Sequence, residues 1–126
     1  MSVSARAKVD LTIYEGATFE KTFQWKTGDP AAAVNLAGYT AIMQVRADIA
    51  DEVPLFSLDT ENGGLIIETP ETDGKYTVSI AAEDTEGICP DHEMIVGLYD
   101  LFLILGDVKM LQQYGKVRIY PSVTRE

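Results

Sequence analysis

Cys89, Asp91, His92 and Glu93 lie within one five-residue stretch and bring together a thiol, an imidazole and two carboxylates. Metal sites and nucleophilic centres are built from these side-chain types. A transition metal would need several of them converging on one ion, supported by soft ligands from elsewhere in the chain. The sequence offers no second group, because His92 is the only histidine and Cys89 the only cysteine. A reactive thiolate needs a nearby cation or a helix N-terminus, and the neighbours of Cys89 are acidic. The stretch therefore reads as a solvated loop with a partly buried cysteine. A metal-dependent enzyme centred on Asp91, His92 and Glu93 is a competing expectation. Two acidic clusters, Asp48/Asp51/Glu52 and Glu83/Asp84/Glu86, lack the alternating ligands and central glycine of a calcium loop. Phosphate-binding glycine loops, dinucleotide fingerprints and Gly-x-Ser-x-Gly elbows are also missing. The expectation is a non-enzymatic protein with no catalytic residue, cofactor or metal.

The 126 residues fit one domain, with 46% hydrophobic and 24% charged residues. Twenty acidic residues against ten basic ones give a net charge of −10. That balance disfavours nucleic acid and anionic lipid, both of which are bound through Lys and Arg. It also favours solubility at high concentration, or a partner with a basic patch. No apolar run approaches the ~20 residues of a membrane-spanning helix. The N-terminus has no apolar core of a signal peptide, so synthesis and first use in the cytosol are expected. One cysteine cannot form an intrachain disulfide, which leaves stability to packing.

The elements that must position any site are short and alternate in polarity, the pattern of strands with one face on a core. Val9, Leu11 and Ile13 share a face of the first, and a second runs from Thr18 to Trp25. Tyr39, Ala41, Met43 and Val45 share a face of the next, followed by an acidic, irregular stretch from Ala47 to Pro54. Residues 55–58 and 65–68 predict two short strands joined through a turn at Asn62-Gly63. Tyr76, Val78 and Ile80 point one way in a further strand, and residues 81–88 predict a helical turn ending at Gly87. Residues 97–105 are apolar on both faces from Leu101 to Leu105, which predicts a central strand. Strands at 108–112 and 116–120 complete the set. Eight or nine strands with regular turns predict a single all-β domain, an immunoglobulin-like antiparallel β-sandwich with one short helical turn. A small barrel is the alternative.

Four passages taken together carry a family resemblance. They are Asp10 to Phe19 (DLTIYEGATF), Val34 to Arg46 (VNLAGYTAIMQVR), Gly97 to Leu101 (GLYDL) and Gly115 to Arg125 (GKVRIYPSVTR). In this order and spacing the chain resembles small virion proteins of tailed bacteriophages, which are similar to the N-terminal domain of phage baseplate upper proteins. The resemblance implies an immunoglobulin-like sandwich present in many copies per particle, associated with tail, baseplate, neck or fibre attachment. It implies other phage structural proteins as partners, virion localisation after assembly in the host cytoplasm, and no catalytic residues. Residues 47–54 and 88–95 depart from the pattern and are candidates for the loops that choose the neighbour. A weaker echo lies in Tyr99, whose place resembles the tyrosine of immunoglobulin strand F that bonds back to the preceding loop.

A structural or adaptor role directs attention to contact residues. Asp100 stands in an otherwise apolar strand, where it either faces solvent or serves an intersubunit contact. Trp25 lies beside a turn, where it is either core or part of a contact patch. Arg6, Lys8 and Arg125 place positive charge on the ends of an acidic chain (residues 1–8 and 122–126), as frayed arms or as arms docked on a negative neighbour. Capsid decoration is an alternative within the same class. A carbohydrate-binding module for host recognition is another, with Tyr14, Trp25, Tyr114 and Tyr120 as the available aromatics.

Overall fold

The computed structural model describes residues 7–124, and Arg6 and Arg125 lie outside them. Eleven strands occupy this range: β1 (Ala7–Lys8), β2 (Leu11–Tyr14), β3 (Phe19–Gln24), β4 (Lys26–Thr27), β5 (Ala32–Ala33), β6 (Thr40–Arg46), β7 (Phe56–Asp59), β8 (Leu65–Ile67), β9 (Lys75–Ile80), β10 (Ile95–Leu105) and β11 (Val108–Tyr120). One short helix, α1 (Ala82–Thr85), follows β9. The larger sheet runs β1-β11-β10-β6-β7, with β2 also on β11, and the smaller runs β3-β9-β8. β4 and β5 form a separate two-stranded ribbon. The fold is an all-β sandwich, as the alternation predicts.

The core lies between the two sheets. Ala41, Met43 and Val45 of β6, Leu101 and Leu103 of β10, and Val117 and Ile119 of β11 meet Tyr76, Val78 and Ile80 of β9 there. Period-two alternation is what brings each set inward, and each fully buried Leu, Ile or Val contributes about 1.5–3 kcal/mol over exposure.

Three features depart from the sequence expectation, each for a local physical reason. The strands expected at 108–112 and 116–120 are one strand, β11, bent at a bulge. Leu101 pairs with Gln113 and Phe102 with Leu111, so Gln112 is an extra residue. The bulge leaves both Gln112 and Gln113 buried. Gln113 then joins a buried polar chain across the sandwich. Tyr76 donates to its Oε1, its Nε2 donates to Tyr99 Oη at 3.1 Å, and Tyr99 donates to the carbonyl of Val9. Burial pushes the phenol pKa of both tyrosines up. Tyr99 thus bonds back to the N-terminal segment, 90 residues away in sequence, and not to the loop before its own strand.

The turn at Asn62-Gly63 does not close a hairpin. β7 pairs with β6 and β8 with β9, so the chain crosses there from one sheet to the other. Asn62 and Asp59 tie the crossing together: Asn62 Oδ1 accepts from Asp59 N and Gly64 N, and Asp59 Oδ1 accepts from Glu61 N and Asn62 N.

The N-terminal edge also departs. A first strand is expected only from Val9, with residues 1–8 as an arm, but Ala7 and Lys8 are already paired in the sheet. Lys8 is therefore not on an arm, and the edge is made of two halves, β1 and β2. Both halves run parallel to β11, Lys8 opposite Tyr114 and Leu11 opposite Val117. Between them the Asp10 carboxylate accepts the Lys116 N–H at 2.9 Å, supplying the acceptor that a continuous ladder would have provided. That bond, helped by the charges of Lys8, Arg118 and Lys116, holds the Asp10 pKa below 3.8. The contribution is present above the ordinary Asp value and is lost as pH falls through the depressed one. In an NMR pH titration the Lys116 amide resonance is expected to shift with a midpoint below 3.8, and Asp10→Asn to abolish the step. A midpoint at or above that value would remove Asp10 as the partner.

Candidate interaction surface

The five contact residues singled out in the sequence separate in space. Arg6 and Arg125 lie outside the described residues. Trp25 is not on a contact patch. It continues the alternating series Phe19, Lys21, Phe23, is only 7% exposed, and packs edge-on to Tyr39 with ring centroids 6.0 Å apart. Its backbone is clamped by Trp25 N donating to Gly74 O and Val34 N donating to Trp25 O. Asp100 and Lys8, by contrast, come together. Asp100 is opposite Tyr114 on one side and Gln44 on the other, and Tyr114 is opposite Lys8. Directly paired residues project to the same side of a sheet. Gln44, Asp100, Tyr114 and Lys8 therefore form one row across the outer face of the large sheet.

The neighbouring rows define that face. Arg46, Leu98 and Lys116 form the next row, then Val96 and Arg118, then Tyr120 and Tyr14. On the other side of Asp100 come Asp59, Ile42, Phe102 and Leu111, followed by Ile104 and Lys109. Val96, Leu98 and Tyr114 remain 40–46% exposed, and Tyr14 and Tyr120 stack at 5.8 Å while open to solvent. Ile42, Phe102, Ile104 and Leu111 of the same face are half-buried and stand outside the core cluster. Strand β10 is apolar on both faces because one face is core and the other is this surface.

The surface is also cationic. Lys8, Arg46, Lys109, Lys116 and Arg118 are five of the eight Lys and Arg among the described residues, in a chain of net charge −10. Arg46 is held in place, with Nη2 donating to Gln44 Oε1 at 2.6 Å and Nη1 to Asp51 O at 3.0 Å. Three carboxylates interrupt these cations: Asp100 in the central row, Asp59 opposite Ile42 at the β7 edge, and Asp10 beside Lys8, Lys116 and Arg118.

The outer face of the small sheet is different. Glu20, Thr22, Ile66, Glu68, Lys75 and Thr77 line a shallow groove there. Its hydroxyls are satisfied within the sheet: Thr22 and Thr77 share a bond of 2.8 Å, and Thr77 donates to Glu68 at 2.6 Å. On its edge strand β3 the exposed Lys21 lies over the Phe23 ring, 5.5 Å from the centroid. A charged lysine on an edge strand opposes strand addition by another chain.

The Cys89–Glu93 stretch forms a tight turn and not a convergent site. Cys89 is buried, its amide donating to Glu15 Oε2 and its thiol to the Ile119 carbonyl. Burial, and then the carboxylate of Glu15, push the thiol pKa up, away from thiolate reactivity. Asp91 and His92 adopt positive φ values of 50° and 58°, and both are exposed. Among the described residues no group of three or more His, Cys, Asp or Glu is placed to hold a metal ion.

Arg46, Leu98, Phe102, Lys116 and Arg118 were not singled out from sequence. The signal of the last four was there in the alternation of residues 96–104 and 114–120, and that of Arg46 in 40–46, but it becomes a surface only once the pairing register of β6, β10 and β11 is known. No protein-family model matches the chain, and no curated protein matches it.

Proposed function

We propose that this chain is a non-enzymatic structural adaptor of a tailed-phage virion, joining tail, baseplate, neck or fibre components through the outer face of its large sheet. The observation that carries the docking role is that face: a broad, partly open array of aliphatic, tyrosine and cationic side chains on a protein that is otherwise acidic. Exposed apolar patches bordered by polar groups mark interaction sites, and aromatics with Arg are the side chains enriched in interface centres. The virion context, and the immunoglobulin-like class of the sandwich, rest on the four-passage resemblance to small tailed-phage proteins. Mass spectrometry and immunogold labelling of purified virions test it. Labelling of tail, baseplate or neck at fixed stoichiometry supports the reading, dense labelling of the shell moves the protein to capsid decoration, and absence from particles overturns both.

The exposed Tyr14–Tyr120 stack on the same face favours one second reading, a carbohydrate-binding surface, since stacked aromatics accept sugar rings. Trp25, being buried, contributes nothing to it. A glycan array with no signal would remove this reading.

A further inference from the structure

The end of the sandwich where β6 finishes and β10 begins has the opposite charge to the large-sheet face. Leu98 pairs with Arg46, so the 47–55 loop leaving β6 and the 81–94 segment entering β10 emerge at the same end. These two segments carry eight exposed Asp and Glu and no Lys or Arg. They also hold out apolar side chains: Ile49 is 81% exposed, Val53 78% and Met94 45%. The face and the loop end are thus matched twice, cation against carboxylate and aliphatic against aliphatic.

From this match we propose that the occupant of the large-sheet face is a second copy of this chain, seated by its 47–55 and 81–94 loops. Face-to-face pairing of two large sheets would set two surfaces with an excess of cations (five against Asp10, Asp59 and Asp100) on each other, and loop end against loop end would set eight carboxylates against eight. Face against loop end is the arrangement in which both charge sets find opposite partners. Such a contact joins two different patches, so it is heterologous and propagates from copy to copy into a ring or an open chain. Within it Asp100, the carboxylate of the central row, penalises a shifted register, while Asp10 and Asp59 stand nearer the rim of the face. The inference rests on the face being a docking surface, but not on where the assembled protein resides.

The test is sedimentation velocity on the purified full chain with a charge swap. The wild type is expected to associate at low ionic strength and to weaken at least tenfold between ~20 mM and ~500 mM salt, as screened charge pairs do. Lys116→Glu/Arg118→Glu on the face and Glu52→Lys/Glu83→Lys on the loops should each be monomeric and folded by circular dichroism. Mixed one to one, they should associate again, because each reversed patch then meets its opposite. Leu98→Gln keeps every charge and should weaken association without perturbing the fold, a second probe should the face double variant misfold. A wild type that stays monomeric at ~1 mM, well above the affinity of a specific contact, overturns the proposal. So do variants that associate like wild type, or a folded mixture that stays monomeric. A chain that self-associates but is missing from virions keeps this inference and loses the adaptor reading; a monomeric chain found in virions does the reverse.

Discussion

Gly115→Ala is expected to lower folding stability by about 3 kcal/mol, from the combined loss of hydrogen bonds and packing along the N-terminal edge. A Cβ at residue 115 would sit 2.4 Å from the Val9 carbonyl oxygen and 2.8 Å from its carbon. Both are backbone atoms, so no rotamer change relieves the clash. The N-terminal segment has to leave β11. With it go the bond from Val9 N to Tyr114 O, the Tyr99 bond to the Val9 carbonyl and the Asp10 cap on Lys116. Urea unfolding would show the loss, and amide exchange at Val9 and Lys116 should accelerate more than exchange at the β10–β6 pairing. The same change displaces Lys8 from the docking face. A variant within 1 kcal/mol of the parent, with protection at Val9 intact, would show that the segment is not held by this close approach.

Glu15→Ala should cost about 3 kcal/mol as well, seen as a fall in Tm of about 10 °C. Glu15 is only 9% exposed and accepts two backbone amides with its two oxygens, Cys89 N at 2.9 Å and Ser122 N at 3.0 Å. The side chain joins the end of β2, the turn before β10 and the segment after β11, three pieces distant in sequence. Alanine leaves both amides without that acceptor, and buried donors without partners are expensive. Glu15→Gln keeps one carbonyl oxygen but turns an NH2 group toward the other amide, so it should recover no more than half of the loss. Equal stability of wild type and Glu15→Ala in thermal unfolding would mean that the three segments are held by packing alone. Because Cys89 and Ser122 flank the acidic loop end, a loosened Glu15 variant should also self-associate more weakly.

Much of the fold was legible because period-two alternation is a direct consequence of strand geometry. Leu11 and Ile13, then Ala41, Met43 and Val45, then Tyr76, Val78 and Ile80 are buried in the structure as their spacing predicts. The helical turn before Gly87 is also found where expected, as α1. Asn62-Gly63 shows the limit of local signals. Its turn chemistry is real, but turn residues set local dihedrals and do not say which sheet the next strand enters. Leu101 to Leu105 shows another. A run apolar on both faces predicts a central strand, and β10 is central, yet only one of its faces is core and the other stays partly open to solvent.

What the sequence by itself determined is the all-β class, the inward faces of the main strands and the acidic balance, all read from spacing and composition within a few residues. Tertiary structure alone decided where charge collects. Lys8, Arg46, Lys109, Lys116 and Arg118 are spread over more than 100 residues in an acidic chain, and become one cationic face because β1, β6, β10 and β11 pair in a particular register. It also decided that Trp25 is core and that Gln112 and Gln113 turn inward, since a one-residue bulge changes which side chains face the interior. Pairing register is a long-range property: it is set by the packing of whole sheets, and no local window of sequence contains it.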